Sequence, residues 1–183
     1  MPANMTFQSL ESAIQLGEID TVITTFCDMQ GRLQGKRFQA QHFLDSAHEE
    51  THCCNYLLAT DMNMKTVSGY SASSWSRGYG DYTMKPDLNT IRRVPWLPGT
   101  AMVMCDLYDH HTHALVPHAP RSVLMAQVAR ARALGFEPKM ATELEFYLFE
   151  ETFAQLFDRK YPDPTPIARY NIDYGLMGSA RDE

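Results

Sequence analysis

The sequence predicts an α+β fold, on three observations. Thr21–Cys27 is a β-branched and aromatic segment of the kind found in strands. Thr100–Tyr108 has the same character over a longer stretch. Pro117–Gly135 contains the clearest helix, because Pro120 suits a first helical position and apolar residues follow at helical spacing. Those apolar residues are Val123, Leu124, Val128, Ala131 and Leu134.

The N-terminal part is predicted to combine short helices with a strand pair. Ser9–Leu16 is a short helix that ends at a glycine. After the first strand, Asp28–Gly31 forms a turn, and Arg32–Phe38 returns as a second strand. Gln41–Ala47 is a further short helix.

The middle of the chain is predicted to hold a long loop followed by strands. Residues 61–86 are rich in Ser, Gly, Tyr and Met, and a loop of this length in a compact domain is usually functional or an interaction element. Thr90–Val94 is then a strand candidate. Pro95–Gly99 connects it to the stronger strand at Thr100–Tyr108.

The C-terminal part is predicted to be only the beginning of a structural unit. Phe136–Phe149 contains a strand, Glu151–Phe157 a short helix, and the proline-rich stretch Asp158–Pro166 a loop. Met177–Glu183 resembles the approach to a helix. Because no later strand is available to pair with the last one, we expect a truncated chain.

Composition excludes several classes of function. The net charge of −6 and the pI near 5.6 disfavour a nucleic-acid partner. The longest uninterrupted apolar run, Ala101–Cys105, is far shorter than the roughly 20 residues that cross a bilayer, so we expect no membrane partner. The N-terminus lacks a basic start and an apolar core, which disfavours a secretory signal.

The four cysteines, Cys27, Cys53, Cys54 and Cys105, include no Cys-x-x-Cys pair. Adjacent Cys53 and Cys54 would form a strained bridge. We therefore expect free thiols and a cytoplasmic location. A redox role for Cys53 and Cys54 is the alternative.

The most informative residues are two glutamates in the last predicted strand. Since side chains alternate along a strand, Glu143, Glu145 and Tyr147 share one face. The opposite, buried face would carry Leu144, Phe146 and Leu148. Two carboxylates about 7 Å apart suit a hard divalent cation such as Mg²⁺ or Mn²⁺. The alternative is a half-exposed strand whose polar face happens to carry two glutamates.

Four segments, in matching order, carry a family resemblance. Glu143–Phe149 resembles the metal-binding strand of glutamine synthetases. Phe26–Arg32 resembles the opening hairpin of that family's N-terminal β-grasp domain. Asp81–Thr90 resembles its Asp-loop-Pro-Asp-x-x-Thr stretch, and Pro120–Leu124 resembles the helix that opens its catalytic domain. The resemblance covers most of Thr21–Phe149.

The resemblance implies a β-grasp domain over residues 1–117, then the first helix and strand of a catalytic domain over 118–183. It implies an ATP-dependent ligase that activates the γ-carboxylate of glutamate as γ-glutamyl phosphate. Ammonia or a primary amine then displaces the phosphate. Glu143 and Glu145 match two ligands of the family's Mg²⁺ or Mn²⁺ ions; no catalytic or ATP-binding residue is assigned. The resemblance also implies that subunits form homo-oligomeric rings in which each active site lies between neighbouring subunits.

The sequence departs from the family pattern in two respects. The family's Asp-Gly-Ser-Ser loop, whose aspartate handles ammonium, corresponds here to Ser71–Trp75, which has no aspartate. This favours a polyamine or another organic amine over ammonia. The chain also stops at Glu183, before the remaining metal ligands, so we expect these 183 residues alone to be inactive.

Several other candidate site residues have less specific patterns. His110, His111 and His113, with His118 nearby, form either a metal cluster or a solvated loop, and their spacing matches no defined zinc site. We therefore predict that these histidines lie in a solvated loop. Asp106 and Asp109 beside them are predicted turn residues.

Three further sites remain open. We predict a local turn or capping role for Asp81, and an indirect site role is the alternative. Arg92 and Arg93 are adjacent on a strand, so at most one can face an anionic ligand. Trp75 and Trp96 are predicted packing or interface residues rather than substrate platforms.

The rival hypothesis belongs to another class of protein. In it, the chain is a stand-alone, non-catalytic β-grasp module that binds a partner or caps an oligomer. The two hypotheses differ over Glu143 and Glu145, which matter only to the ligase.

Overall fold

The computed structural model describes residues 4–168. The chain divides into two compact units, Met1–Pro138 and Lys139–Glu183. The first contains a mixed sheet with helices, and this α+β arrangement confirms the predicted class. The second contains one short helix within its described part.

The sheet of the first unit contains six strands among the described residues, in the order β2-β1-β6-β4-β3, with β5 also paired to β6. The central pair, β1 and β6, runs parallel, and the other pairs are antiparallel. The strands are β1 (Thr21–Cys27), β2 (Leu33–Gln39), β3 (Thr51–Cys54), β4 (Asp81–Pro86), β5 (Arg92–Arg93) and β6 (Thr100–Asp109).

Two apolar clusters stabilise this sheet. The first joins β1 and β6 to helix α1 (Phe7–Gln15), which buries Leu10 and Ala13. Thr6 caps α1 by accepting a hydrogen bond from the Ser9 N–H, as its position before the first turn favours. The same cluster includes residues of α2 (Ala40–His42) and of the π-helical turn Phe43–Ala47. The second cluster joins β3, β4 and β6 around Phe26, Met84 and Leu107.

Predictions for the strongest elements are confirmed. β1 has the predicted bounds, and β2, β6 and α1 are shifted or extended by one or two residues. Two strands were not predicted: β3, and β4, which begins inside the predicted 61–86 loop. Thr90–Val94 is a strand only at Arg92–Arg93, because a 3-10 turn occupies Leu88–Thr90.

Helix α3 (Pro120–Ala133) confirms the predicted helix, with Pro120 in its first turn and Gly135 at φ +83° just after its end. Its predicted apolar face is not buried in this unit. Val123, Leu124 and Leu134 are 48, 56 and 68% exposed, and Ser122 is the buried residue. Arg121 ties the start of α3 to the sheet through ion pairs with Asp106, at 2.7 Å, and with Asp87.

The prediction of a strand within Phe136–Phe149 is wrong. Residues 137–148 have no regular secondary structure, and Leu144, Phe146 and Leu148 are exposed instead of buried. A strand needs a neighbour for its backbone N–H and C=O groups, and no described strand pairs with this segment. An isolated bridge joins Phe149 to Pro166.

The predicted helix near Glu151–Phe157 is present as α4 (Phe153–Asp158). Thr152 and Gln155 form a reciprocal capping box at its start. The expected approach to a helix at Met177–Glu183 lies outside the described residues.

All four cysteines are free thiols, as predicted. Across residues 4–168, no helix has the length and apolar character that crossing a membrane requires.

Candidate functional site

The long loop covers residues 61–80 and begins with a tight turn. The Asp61 carboxylate accepts the backbone N–H groups of Asn63 and Lys65 at 2.8 and 2.9 Å. The Asp61 N–H donates in turn to the Lys65 carbonyl at 2.8 Å. These local bonds fix the shape of the first five residues of the loop.

A buried carboxylate organises the β1–β2 turn. The Asp28 side chain has no exposed surface. One of its oxygens accepts the N–H groups of Gln30 and Arg32 at 3.0 and 2.8 Å; the other accepts Arg32 Nε at 2.8 Å and Gln34 Nε2 at 3.0 Å. Burial by itself raises the pKa of Asp28, but these hydrogen bonds outweigh it and lower the pKa below its ordinary value.

Arg32 links this turn to the long loop. Its guanidinium donates to the carbonyl of Met62 at 2.9 Å, the carbonyl of Asp61 at 3.1 Å and the Thr60 hydroxyl at 3.3 Å. Gln30 Nε2 donates to the Thr60 carbonyl at 2.7 Å. We call Asp28, Gln30, Arg32 and Gln34 the hairpin clasp.

The far end of the loop has a separate anchor. Asn55 donates through Nδ2 to the Ala72 carbonyl at 3.2 Å and through its backbone N–H to the Gly80 carbonyl at 2.8 Å. The Tyr79 ring lies between those of Tyr56 and Trp75, with centroids 5.9 and 6.0 Å away. Trp75 is nevertheless 86% exposed, so within the described residues it contacts Tyr79 at the surface and is not part of a buried core.

The segment Ser71–Trp75, predicted to correspond to the family's Asp-Gly-Ser-Ser loop, is held directly by one of these anchors, because Asn55 donates to the Ala72 carbonyl. Ser73 is buried, and its Oγ has no hydrogen-bond partner among the described residues. The nearby carboxylate of Asp81 is exposed at the start of β4. Asp81 forms no capping hydrogen bond with the described residues, which disfavours the turn role considered above.

Glu143 and Glu145 lie in the second unit, in the exposed segment without regular structure. Neither carboxylate has a hydrogen bond or an ion pair with any residue between 4 and 168. In the same part of the chain, no group of three or more His, Cys, Asp or Glu residues could hold a metal ion. The two carboxylates have the oxygen donors that Mg²⁺ and Mn²⁺ prefer, but they are two ligands of a larger set.

The histidines after β6 form an exposed loop, as predicted. Asp109 is a turn residue: its carboxylate accepts the N–H groups of His111 and Thr112 at 3.1 and 2.8 Å. Asp106 is not a turn residue; it forms the ion pair with Arg121. That prediction failed because the partner lies 15 residues further along the chain.

Arg92 and Arg93 point to opposite faces of the sheet, as predicted, since they pair with Met102 and Ala101. Arg93 forms an ion pair with Glu18. Trp96 is 74% exposed, so an interface role remains a prediction for it and for Trp75.

The chain is similar to known proteins of one family. The glutamine synthetase catalytic domain matches residues 117–171. A gamma-glutamylethanolamide synthetase of Streptomyces coelicolor is 47% identical over 178 residues, which are 96% of this chain and 38% of that protein. A glutamate–isopropylamine ligase of a Pseudomonas species is 30% identical over 165 residues, which are 90% of this chain and 36% of that protein.

The chain belongs to the glutamine synthetase family. A solved GmaS–ADP complex has the same fold, with a TM-score of 0.52 and 22% identity over 68% of this chain and 26% of that one. The chain thus spans less than two fifths of the length of the two curated relatives. Glu143 and Glu145 fall inside the stretch that matches the family's catalytic domain.

For this member of the family, sequence reasoning missed the hairpin clasp. The signal available was the turn sequence Asp28–Arg32, in which an aspartate precedes a glycine and an arginine. Nothing local indicated that Arg32 would bond to residues 28–30 positions further along the chain.

Proposed function

We propose that this chain forms the N-terminal portion of an ATP-dependent ligase that joins the γ-carboxylate of glutamate to a primary amine through γ-glutamyl phosphate. The observation that carries the proposal is the 47% identity, across almost the whole chain, with a gamma-glutamylethanolamide synthetase. The glutamate–isopropylamine ligase supports the same class of reaction.

An organic amine is the proposed acceptor in preference to ammonia. The Ser71–Trp75 segment offers hydroxyls and an exposed indole where the family carries an aspartate. An alkyl or hydroxyalkyl group suits such a surface better than a bare ammonium ion does, because it presents apolar area and, in an amino alcohol, a hydroxyl that can hydrogen-bond.

Glu143 and Glu145 are the proposed ligands of a divalent cation, Mg²⁺ or Mn²⁺. Their donor type fits a hard cation, and their exposure leaves both carboxylates available to it. When bound, such an ion neutralises the charge that develops on a transferring phosphoryl group of ATP. The role of the two side chains is to hold it in place.

The proposal includes the architecture that accompanies this activity in the family. Residues 1–117 would form a β-grasp domain, and 118–183 would begin the catalytic domain. The working protein would be a cytoplasmic homo-oligomeric ring. The ion pairs of Arg121 with Asp87 and Asp106 would then tie the two domains together.

The test is turnover by the natural full-length protein. It is incubated with ATP, Mg²⁺ or Mn²⁺, glutamate and each of a panel of amines: ammonium, methylamine, ethanolamine, isopropylamine and putrescine. We expect phosphate release and a γ-glutamyl amide with at least one organic amine, at a higher kcat/KM than with ammonium. Turnover with ammonium alone would reject the amine preference, and no turnover would favour the interaction module.

A further inference from the structure

We propose that Arg32 is a positioning residue for the amine acceptor: through the hairpin clasp, it sets the place of the 61–80 loop without touching the substrate. This inference rests on the proposed function, because that function gives the loop its role. The clasp itself rests on contacts within the first unit.

The guanidinium nitrogens of Arg32 donate hydrogen bonds to two parts of the chain, the β1–β2 hairpin and the long loop. Nε donates to the buried Asp28 carboxylate, which fixes the plane of the group. Nη1 and Nη2 donate to Met62, Asp61 and Thr60, and Nη2 also donates to Gln30 Oε1 at 3.3 Å within the hairpin turn. The β1–β2 hairpin is held by its own backbone pairing, which runs in register from Thr21 to Cys27. The outer donors of Arg32 therefore act on the loop.

At this end the loop is held by two kinds of contact. The Val67 N–H donates to the Ala59 carbonyl at 2.8 Å beside an isolated bridge between Thr60 and Thr66, and the side-chain hydrogen bonds from outside the loop come from the hairpin clasp. Its side chains are largely in solvent, with Met62, Val67 and Tyr70 exposed by 68, 42 and 43%. Segments with few buried apolar contacts open easily, so polar anchors decide where they lie. Near its start the loop has the clasp, and near its end it has Asn55.

The hydrogen bonds of the hairpin clasp fix its side chains in one conformation. Asp28 is fully buried and accepts four hydrogen bonds, so its carboxylate has no freedom to turn. Gln30 adds a bond to the Thr60 carbonyl, next to the contacts of Arg32. Because a guanidinium is a rigid, planar fork, the orientation of Asp28 is transmitted to residues 60–62.

The decisive variant is Arg32→Lys. It keeps the charge beside Asp28, but a compact ammonium cannot reproduce the fork that reaches three loop acceptors. Arg37→Lys is the matched control, since Arg37 lies exposed on the same hairpin and its side chain forms no hydrogen bond or ion pair with the described residues. Both variants are made in the natural full-length protein.

Two readouts separate positioning from general stability. Hydrogen exchange should accelerate about 10-fold in the 61–80 loop of Arg32→Lys, while the amides of β6 stay unchanged. The KM for the amine should rise about 10-fold, with the KM values for ATP and glutamate unchanged. The Arg37→Lys protein should match the wild type in both.

Either of two results would overturn the proposal. The first is an Arg32→Lys protein whose loop exchanges at the wild-type rate. The second is faster loop exchange with an unchanged KM for the amine, or with all three KM values changed together. If the wild type makes no γ-glutamyl amide, the proposed function fails; the exchange measurement then still decides whether Arg32 holds the loop.

Discussion

Carboxylates in the two units of this chain have opposite surroundings. Asp28 is buried in the first unit and accepts four hydrogen bonds. Glu143 and Glu145 in the second unit are exposed and have no bonded partner among the described residues. The hydrogen bonds that Asp28 accepts all come from its own chain, whereas the carboxylates of the two glutamates are available to an external ligand.

This difference separates a structural role from a functional one. A buried carboxylate with every oxygen occupied stabilises a local conformation, and a ligand could reach it only by breaking those bonds. Removing part of the water around an exposed carboxylate costs little free energy, so a cation can take the place of that water. The comparison therefore predicts large effects on stability for Asp28 and large effects on activity for the glutamates.

The largest expected effect is that of Glu145→Gln on ligation. If Glu145 binds the metal directly, as proposed, its loss should lower kcat/KM by more than the 10–100-fold typical of losing an outer-shell partner, with the unfolding free energy unchanged. γ-Glutamyl amide formation by the natural full-length protein measures it. Glu11→Gln, on the exposed side of α1, is the control. Normal activity in Glu145→Gln would remove the glutamates from the metal site.

Asp28→Asn should lower the free energy of unfolding. An amide cannot accept all four hydrogen bonds, and Arg32 loses its counter-charge, so we expect a loss of about 2–4 kcal/mol in unfolding free energy. Urea denaturation measures it. Asp81→Asn is the control, because the Asp81 carboxylate is exposed and forms no hydrogen bond or ion pair with the described residues. A loss under about 0.5 kcal/mol in Asp28→Asn would contradict the clasp.

The same variant should change the dependence of stability on pH. Since the folded-state pKa of Asp28 is lowered, its contribution is fully present above the ordinary aspartate value of 3.8. It is lost as the pH falls through the lower folded-state value. The wild type should therefore lose stability on acidification in this range more steeply than Asp28→Asn. Parallel urea titrations between pH 5 and pH 2 would show this, and equal slopes would contradict it.

Gly35 offers a smaller test of the hairpin that carries the clasp. A Cβ at Gly35 would lie 1.9 Å from the Thr24 carbonyl oxygen, so the strands would have to move apart. We expect Gly35→Ala to cost about 1–3 kcal/mol. At Gly80 the nearest atom to an added Cβ is 3.6 Å away, and Gly80→Ala should be tolerated. Equal thermal unfolding midpoints for the two variants would be inconsistent with this packing.

A structural element could be predicted from the sequence when the residues that determine it lie within the element itself. β1 and β6 were predicted because their β-branched residues specify strands by themselves. β4 was missed because Asp, Lys and Pro are poor strand formers, and its place is set by pairing with β6. The Glu143–Phe149 strand was wrongly predicted because a local pattern cannot supply a neighbouring strand. The clasp was missed because its partners are distant in sequence.

The smallest expected effect concerns the thiols. Burial raises the pKa values of Cys53 and Cys105 to about 12, so at pH 8 almost none of either thiol is in the reactive thiolate form. A thiol reagent followed by peptide mass mapping should leave both unmodified until urea unfolds the protein. Rapid labelling of native Cys53 would instead support the redox alternative for Cys53 and Cys54.

The central claim is that the protein activates glutamate as γ-glutamyl phosphate. The most direct measurement supplies the natural full-length protein with ATP, an amine and glutamate labelled with ¹⁸O in its γ-carboxylate. The ligase predicts that one labelled oxygen moves from glutamate to each phosphate released, because the amine displaces the phosphate at the γ-carbon. Amide formation with unlabelled phosphate would contradict the γ-glutamyl phosphate route, and the absence of any amide would contradict the ligase.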